Sequence, residues 1–196
     1  MSDAIEFHSE PKRQGPLDGV TLPANAELTV SVNSPATRLI LRCGPEMSAK
    51  VQSAFGIALP VRPNSVSVSS VGARAAIWLG PDEWLLMAPN EQPAALRSTL
   101  QAALSNLAHS LTDISHGQVG IELTGRLASR ALSAGCPLDL RLAAFPPGMA
   151  TRTIFLKSEI VLWRRSEDRF QVAVWRSFAP YLVGHLVEAV ASAAGL

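Results

Sequence analysis

The chain has 196 residues, of which 47% are hydrophobic and 17% are charged, and its formal net charge is +1. This length suits one large domain or two compact halves that share a core, and the charged fraction lies well below the roughly 25% of an average globular domain. A surface so poor in charge indicates that another chain covers part of it, and the basic residues form no stripe of the kind that nucleic-acid binders carry.

The first segment, residues 1–25, is predicted to be an extended arm. Its prolines and glycines stand among charged residues and show no periodicity, as in irregular structure. The arm is either disordered or ordered against a partner. It lacks the apolar run of a signal peptide, and no stretch of about 18 uncharged apolar residues follows it. We therefore expect a cytoplasmic protein without a membrane partner.

The next segment, residues 26–108, is predicted to form a first βαβ-type half. Leu96 and Leu100 recur at helical spacing, which directs one apolar stripe of a long helix towards a sheet. The predicted elements, in chain order, are a strand at 37–43, a short helix between Gly44 and Gly56, strands at 75–79 and 84–87, and a helix at 92–104.

The last segment, residues 109–196, repeats this plan as a second βαβ-type half. Trp84 and Phe170 open corresponding strands, and Leu96 and Leu182 occupy corresponding helix positions. The predicted elements are a strand at 118–124, a short helix between Gly125 and Gly135, strands at 159–163 and 170–174, and a helix at 178–193.

The repeat predicts the fold class. Each half reads strand, helix, two or three strands and helix, which is the split βαβ unit of ferredoxin-like folds. Such a unit presents an antiparallel sheet with helices on one face. We predict an α+β fold built from two pseudo-repeated ferredoxin-like split βαβ halves with antiparallel sheets, joined in one globular unit.

A search for catalytic groups gives no candidate. Asp113, Ser115 and His116 are the residue types of a nucleophilic triad. On a strand, however, Ser115 and His116 point to opposite faces, whereas activation needs a Ser–His hydrogen bond. A strand that ends in a capped turn is the favoured interpretation.

The sequence also predicts no cofactor or metal site in this chain. Cys43 and Cys136 stand in apolar segments without CxxC or His/Cys spacing, so buried reduced thiols are expected. The histidines show no HxH or HExxH arrangement, and no glycine-rich phosphate loop is present.

Aromatic and basic residues near the second acidic turn are the candidate interface residues. Four tryptophans stand at positions 78, 84, 163 and 175. Core packing explains tryptophans in general, but Trp and Arg together are enriched at protein interfaces. The predicted interface residues are therefore Trp163, Arg164, Arg165, Trp175 and Arg176.

Several motifs resemble those of the sarcosine oxidase gamma subunit family. They occur in family order from about residue 30 to the C-terminus, and together they are specific although each alone is weak. The matching segments are WLGPDEWLL at 78–86, DISHG at 113–117, GCPLDL at 135–140 and RSFAPYL at 176–182.

The resemblance implies a fold similar to the folate-binding domain of aminomethyltransferases and a non-catalytic role in a heterotetrameric oxidoreductase. That enzyme demethylates sarcosine to glycine with tetrahydrofolate and oxygen. The resemblance implies alpha, beta and delta subunits as partners, with alpha as the main contact. It also implies FAD, FMN, NAD, zinc and tetrahydrofolate in the partner chains and none of them in this one.

Two other functions stay open at this point. The first is a stand-alone folate-binding or aminomethyltransferase-like protein, and the second is an interaction module of another oxidoreductase. In the aminomethyltransferases an acidic pair supplies a carboxylate near the folate. Ser158 stands in place of one of those acids, so the role is not carried over, and Glu159 is expected to be a solvent-facing strand residue.

Overall fold

The computed structural model describes residues 15–24, 26–70 and 74–193. Within these ranges the chain forms ten strands and four α-helices. The strands are β1 (Thr29–Val32), β2 (Ala36–Cys43), β3 (Val66–Val68), β4 (Ala75–Gly80), β5 (Glu83–Pro89), β6 (His109–Asp113), β7 (Gln118–Thr124), β8 (Ala150–Phe155), β9 (Ser158–Ser166) and β10 (Arg169–Trp175), and the helices are α1 (Ser48–Phe55), α2 (Pro93–Ala103), α3 (Ala128–Ser133) and α4 (Ala179–Ala193).

Two five-stranded sheets organise the molecule. The first, called the N-sheet, has the order β3-β4-β5-β2-β6, and the second, called the C-sheet, has the order β1-β7-β10-β9-β8. All the strand pairs are antiparallel. The prediction of a mixed α+β fold with two antiparallel sheets is therefore confirmed.

The elements stack in four layers because each sheet is apolar on both faces. One face of the N-sheet packs against α1 and α2, with Leu39 and Leu41 among its buried residues. One face of the C-sheet packs in the same way with α3 and α4, where Leu123 and Phe170 are buried. The two remaining faces meet each other in a layer of eight buried residues: Ala75, Ile77, Leu85, Met87, Ala150, Val161, Trp163 and Ala173.

The two sheets exchange strands between the parts of the sequence that resemble each other. β1 precedes the N-sheet strands in the chain but pairs with β7 in the C-sheet. β6 lies beyond residue 108 but pairs with β2 in the N-sheet. The division into repeated halves at residues 26–108 and 109–196 stays a prediction. Each sheet contains one strand from the other half.

The described part of the arm lies against the C-sheet. Residues 1–14 and 25 of the predicted arm are outside the described residues. Leu17 is buried in the core between the C-sheet and its helices, and the Val30 N–H donates to the Pro23 carbonyl at 2.8 Å. Apolar contact and one backbone hydrogen bond thus fix the chain just before β1.

Candidate functional site

The five predicted interface residues separate into buried and exposed members. They lie at the end of β9 and at the junction of β10 with the 3-10 turn Arg176–Phe178. Trp163 is 5% exposed and Arg164 is 3% exposed, whereas Trp175 is 38% exposed. Arg165 and Arg176 are also exposed. Because successive strand residues point to opposite faces, neighbours in this segment meet different surroundings.

Arg164 is an internal residue that holds two loops to the C-sheet. One guanidinium nitrogen donates to the carbonyls of Leu140 and Phe145, both at 2.9 Å, and another donates to the carbonyl of Glu167 at 2.6 Å. The guanidinium also lies 4.7 Å from the centre of the Phe170 ring. Burial lowers the pKa of Arg164, but arginine stays protonated in proteins. Its donors are occupied within the chain, so Arg164 is not a surface contact.

Trp163 and Arg165 form a stacked pair at one border of the inter-sheet layer. The Arg165 guanidinium lies 4.2 Å from the centre of the Trp163 ring, within the range of a cation–π contact. It also donates to the amide oxygen of Gln171 at 3.0 Å. The pair closes the edge of the layer, with the ring inside and the cation outside.

Trp175 belongs to a surface groove, here called the Trp175 groove, that Pro16, Gly117, Arg176 and Ser177 complete. A Cβ at Gly117 would lie 3.0 Å from the Trp175 ring, so a glycine lets the backbone pass under the indole. The Arg176 N–H donates to the Gly117 carbonyl at 2.8 Å, which fixes the groove floor. Phe178, in the same 3-10 turn, is 43% exposed. The groove therefore presents an aromatic surface to solvent.

Asp113 and Ser115 are hydrogen-bonded to each other. The Ser115 hydroxyl donates to the Asp113 carboxylate at 2.5 Å, and the Ser115 backbone N–H donates to the same oxygen at 2.9 Å. The hydroxyl also accepts the Arg38 N–H at 3.0 Å. This is the geometry of a capped turn after β6, in which the serine is bound to the aspartate.

Glu159 is a peripheral residue of β9. Its side chain is 54% exposed and one carboxylate oxygen lies 4.0 Å from Arg152 Nε. The preceding Ser158 is fully buried. Residues 158 and 159 thus alternate between the core and solvent, as expected of a strand.

Both cysteines are free and buried. Burial raises the pKa of Cys43 to about 11, and the nearby carboxylates of Glu46 and Asp82 add to the effect. Among the described side chains, no group of three or more His, Cys, Asp and Glu residues is placed to hold a metal ion. Within the same ranges, no helix has the length and apolar character of a membrane span.

Sequence reasoning did not single out Arg38, which lines a small cavity formed by residues of both sheets. This cavity, here called the Arg38 cavity, has a volume of about 170 Å³. Arg38 stands in the middle of the apolar strand β2 and is only 2% exposed. The sequence feature that could have identified it is a basic residue inside a strand whose neighbouring residues are apolar. The polar residues that line the cavity are Asn33, Ser34, Arg38, Arg74, Trp163, Arg165 and Gln171.

Comparison with known proteins points to one family. Residues 42–192 match the family model described as "Sarcosine oxidase, gamma subunit family". The sarcosine oxidase subunit gamma of Corynebacterium sp. (strain U-96) is 33% identical over 194 residues, which cover 97% of this chain and 93% of that protein. The corresponding protein of Corynebacterium sp. (strain P-1) is 33% identical over 157 residues, covering 79% and 76% of the two chains.

Solved structures agree with the sequence comparison. A chain of the heterotetrameric sarcosine oxidase from Corynebacterium sp. U-96, in complex with pyrrole 2-carboxylate, superposes with a TM-score of 0.83 at 30% identity and covers 92% of this chain and 95% of its own. The glycine cleavage system aminomethyltransferase T from Bartonella henselae superposes with a TM-score of 0.61 at 15% identity. That match covers 83% of this chain and 46% of the other and concerns the fold alone.

Proposed function

The chain belongs to the sarcosine oxidase gamma subunit family, and on that premise we propose that it is a non-catalytic scaffold of the assembled enzyme. It is a gamma subunit of a heterotetrameric sarcosine oxidase, an oxidoreductase complex. The observation that carries this conclusion is the near full-length match to a gamma subunit in sequence and to a chain of a heterotetrameric sarcosine oxidase in structure. The scaffold role is supported by the Asp113–Ser115 turn, in which the polar groups are bound to each other.

The reaction of the assembly is proposed from the family. The complex demethylates sarcosine to glycine oxidatively and uses tetrahydrofolate and oxygen. FAD, FMN, NAD, zinc and tetrahydrofolate belong to the partner chains in this proposal, and the complex works in the cytoplasm. This chain contributes by stabilising the partners that bind those groups.

The alpha subunit is the proposed main contact, and the Trp175 groove is the proposed contact surface. Trp175 and Phe178 expose aromatic area beside Arg176. Tryptophan and arginine are enriched among the residues that dominate binding energy in interfaces. Arg165 extends this surface, while Trp163 and Arg164 support it from within.

The test is co-purification of the four subunits with a tagged gamma chain that carries Trp175→Ala. Loss of a large, partly buried aromatic contact is expected to reduce recovery of the alpha subunit about tenfold or more. The matched control is Val61→Ala, because Val61 is 70% exposed and lies outside the groove. Circular dichroism of each free gamma chain verifies that both variants fold.

Sarcosine turnover by the purified material separates a scaffold from a catalyst. For the fraction of Trp175→Ala complexes that stays assembled, the turnover per flavin is expected to equal that of the unmodified enzyme. Equal recovery of alpha with Trp175→Ala and with unmodified chain would remove the groove from the interface. Full turnover by alpha, beta and delta alone, with unchanged complex stability, would contradict the scaffold role itself.

A further inference from the structure

The molecule contains two almost fully buried arginines whose hydrogen bonding differs sharply. Arg164 is 3% exposed and donates to the carbonyls of Leu140, Phe145, Ser166 and Glu167 at distances of 2.6 to 3.3 Å. Arg38 is 2% exposed, but among the described residues its side chain contacts only the carbonyls of Ala36 and Gln118 as acceptors, each at 3.5 Å. Such distances lie at the outer limit of a hydrogen bond. Arg38 is therefore a buried cation that is poorly satisfied.

No ion pair compensates the charge of Arg38 among the described residues. The buried Arg38 Nε also has no hydrogen-bond partner. Burial lowers the pKa of Arg38, yet a guanidinium stays protonated in proteins. An unpaired charge in a protein interior is strongly unfavourable unless an opposite charge accompanies it. The buried positive charge of Arg38 would therefore be stabilised by a bound anion.

A second unpaired donor lines the same cavity. Trp163 is 5% exposed, and its indole N–H is buried without a hydrogen-bond partner. Both Trp163 and Arg38 line the Arg38 cavity. Buried polar groups are nearly always hydrogen-bonded, so Trp163 is a second residue of the cavity wall with an unpartnered N–H, although that N–H is buried behind the wall.

The other charged groups at the cavity already have partners. Arg74 is bound through two nitrogens to the Glu91 carboxylate at 2.5 and 2.8 Å, and Arg165 donates to Gln171. The residues that line the cavity include no Asp or Glu. The charge at the cavity is therefore positive: among the described residues neither Arg38 nor Arg165 has an ion pair, and Arg38 is the buried one of the two.

We propose that the Arg38 cavity binds the carboxylate group of a small free acid, with the Arg38 guanidinium as its donor and Trp163 in the cavity wall. A planar guanidinium matches a carboxylate through two parallel hydrogen bonds. The cavity volume of about 170 Å³ leaves room for a small organic acid. The site shares no residue with the Trp175 groove, although Trp163 and Arg165 in its lining also support the proposed contact surface.

The indole N–H signals of the protein give a direct test. The chain has four tryptophans, and a nitrogen-15 correlation spectrum of the full-length chain resolves one indole signal for each. Trp163→Phe identifies the Trp163 signal by its disappearance. Sodium acetate is titrated against sodium chloride at constant ionic strength, and sodium phosphate is titrated in a parallel series.

Acetate is expected to shift the Trp163 signal saturably and to leave the Trp84 signal in place. Trp84 is a suitable internal reference because its indole N–H is already bound to the Pro60 carbonyl at 2.8 Å. In Arg38→Met the acetate affinity is expected to fall about tenfold or more, since one charge-assisted pair is lost. An absent or non-saturating shift, or equal affinity in Arg38→Met, overturns the proposal. A saturable response to phosphate without one to acetate overturns the carboxylate assignment.

A second variant guards against misfolding of Arg38→Met. A Cβ at Gly120 would lie 2.7 Å from Arg38 Nη2, so Gly120→Ala displaces the guanidinium but keeps the charge. Its acetate affinity, measured by calorimetry, is expected to fall severalfold. Unchanged affinity in a folded Gly120→Ala chain contradicts the site.

The assembled heterotetramer distinguishes a free acid from a partner side chain. Equilibrium dialysis with radiolabelled acetate is compared for complexes that contain the unmodified or the Arg38→Met gamma chain. A saturable difference of one site per complex supports a free ligand. No difference, with acetate bound only by the free gamma chain, means that a partner carboxylate fills the site and overturns the free-ligand proposal.

Discussion

At the residue scale, the function of each side chain follows from the strand face that carries it. Trp163 faces the opposite sheet, Arg164 faces the loops that cover the C-sheet, and Arg165 lies at the surface. Three consecutive residues thus serve as inter-sheet packing, as a loop anchor and as a cation stacked on an aromatic ring. Arg38 follows the same rule, but its face leads into a cavity where few acceptors lie within reach.

Cys43 is expected to be unreactive in the native chain. Burial is the main cause that raises its pKa to about 11. At pH 8 about one thiol in a thousand is therefore ionised, and only the thiolate is the nucleophile. Iodoacetamide at pH 8 followed by peptide mass analysis is expected to leave Cys43 unmodified in native protein and to label it fully in denatured protein.

The pH dependence of this reaction has a definite sign. Alkylation of native Cys43 is expected to accelerate as the pH rises towards 11, as long as circular dichroism shows the chain to be folded. Rapid labelling of the native chain at pH 8 would show that Cys43 is accessible and its pKa ordinary.

At the element scale, the two related parts of the sequence differ where each short helix begins. Gly44 has φ −69° and ψ 149°, an extended conformation open to any residue. Gly125 has φ +134°, and a Cβ there would collide with the backbone of Glu27 and Leu28. This difference arises because the segment before β1 crosses over the start of α3, where the Leu127 N–H donates to the Glu27 carbonyl at 3.2 Å. Strand exchange therefore explains why position 125 requires a glycine.

Alanine substitutions at these two glycines are expected to lower the free energy of unfolding by different amounts. Gly125→Ala combines an unfavourable backbone angle with a backbone collision, so we expect the free energy of unfolding to fall by about 2–4 kcal/mol. In Gly44→Ala the new Cβ contacts the Glu46 carboxylate, which is the end of a flexible side chain. This substitution is expected to change the free energy of unfolding by less than about 1 kcal/mol. Urea unfolding of both variants measures the difference, and equal losses would contradict the role of the crossing segment.

At the scale of the whole molecule, an apolar layer holds the two sheets together. Ile77 is 1% exposed in that layer. An ion pair between Arg152 on β8 and Glu83 on β5 also joins the sheets. The arginine side chain is 37% exposed, and ion pairs near solvent contribute little to stability. The buried layer is therefore expected to dominate.

Two substitutions separate these contributions. Ile77→Ala leaves a cavity between the sheets and is expected to lower the free energy of unfolding by about 2–5 kcal/mol. Arg152→Met removes the ion pair and is expected to cost less than about 1 kcal/mol, an effect that weakens further in high salt. Urea titrations at low and high salt measure both, and a salt-sensitive loss in Arg152→Met as large as that of Ile77→Ala would contradict this assignment.

The sequence by itself determined the four α-helices, most of the strands, the fold class and the family, but it did not predict β1, β3 or β8. Alternation in β2 and β7 is visible locally because strand periodicity depends only on neighbouring residues, and both strands are confirmed within one residue of the prediction. The four motifs at 78–86, 113–117, 135–140 and 176–182 together sufficed to identify the family that comparison then confirmed. Only the tertiary structure decided that β1 and β6 exchange sheets, that Arg164 is internal while Trp175 is exposed, and that Arg38 lines a cavity. The reason is that burial of a strand residue depends on which distant segment packs on its face, and that information is not contained in any local pattern.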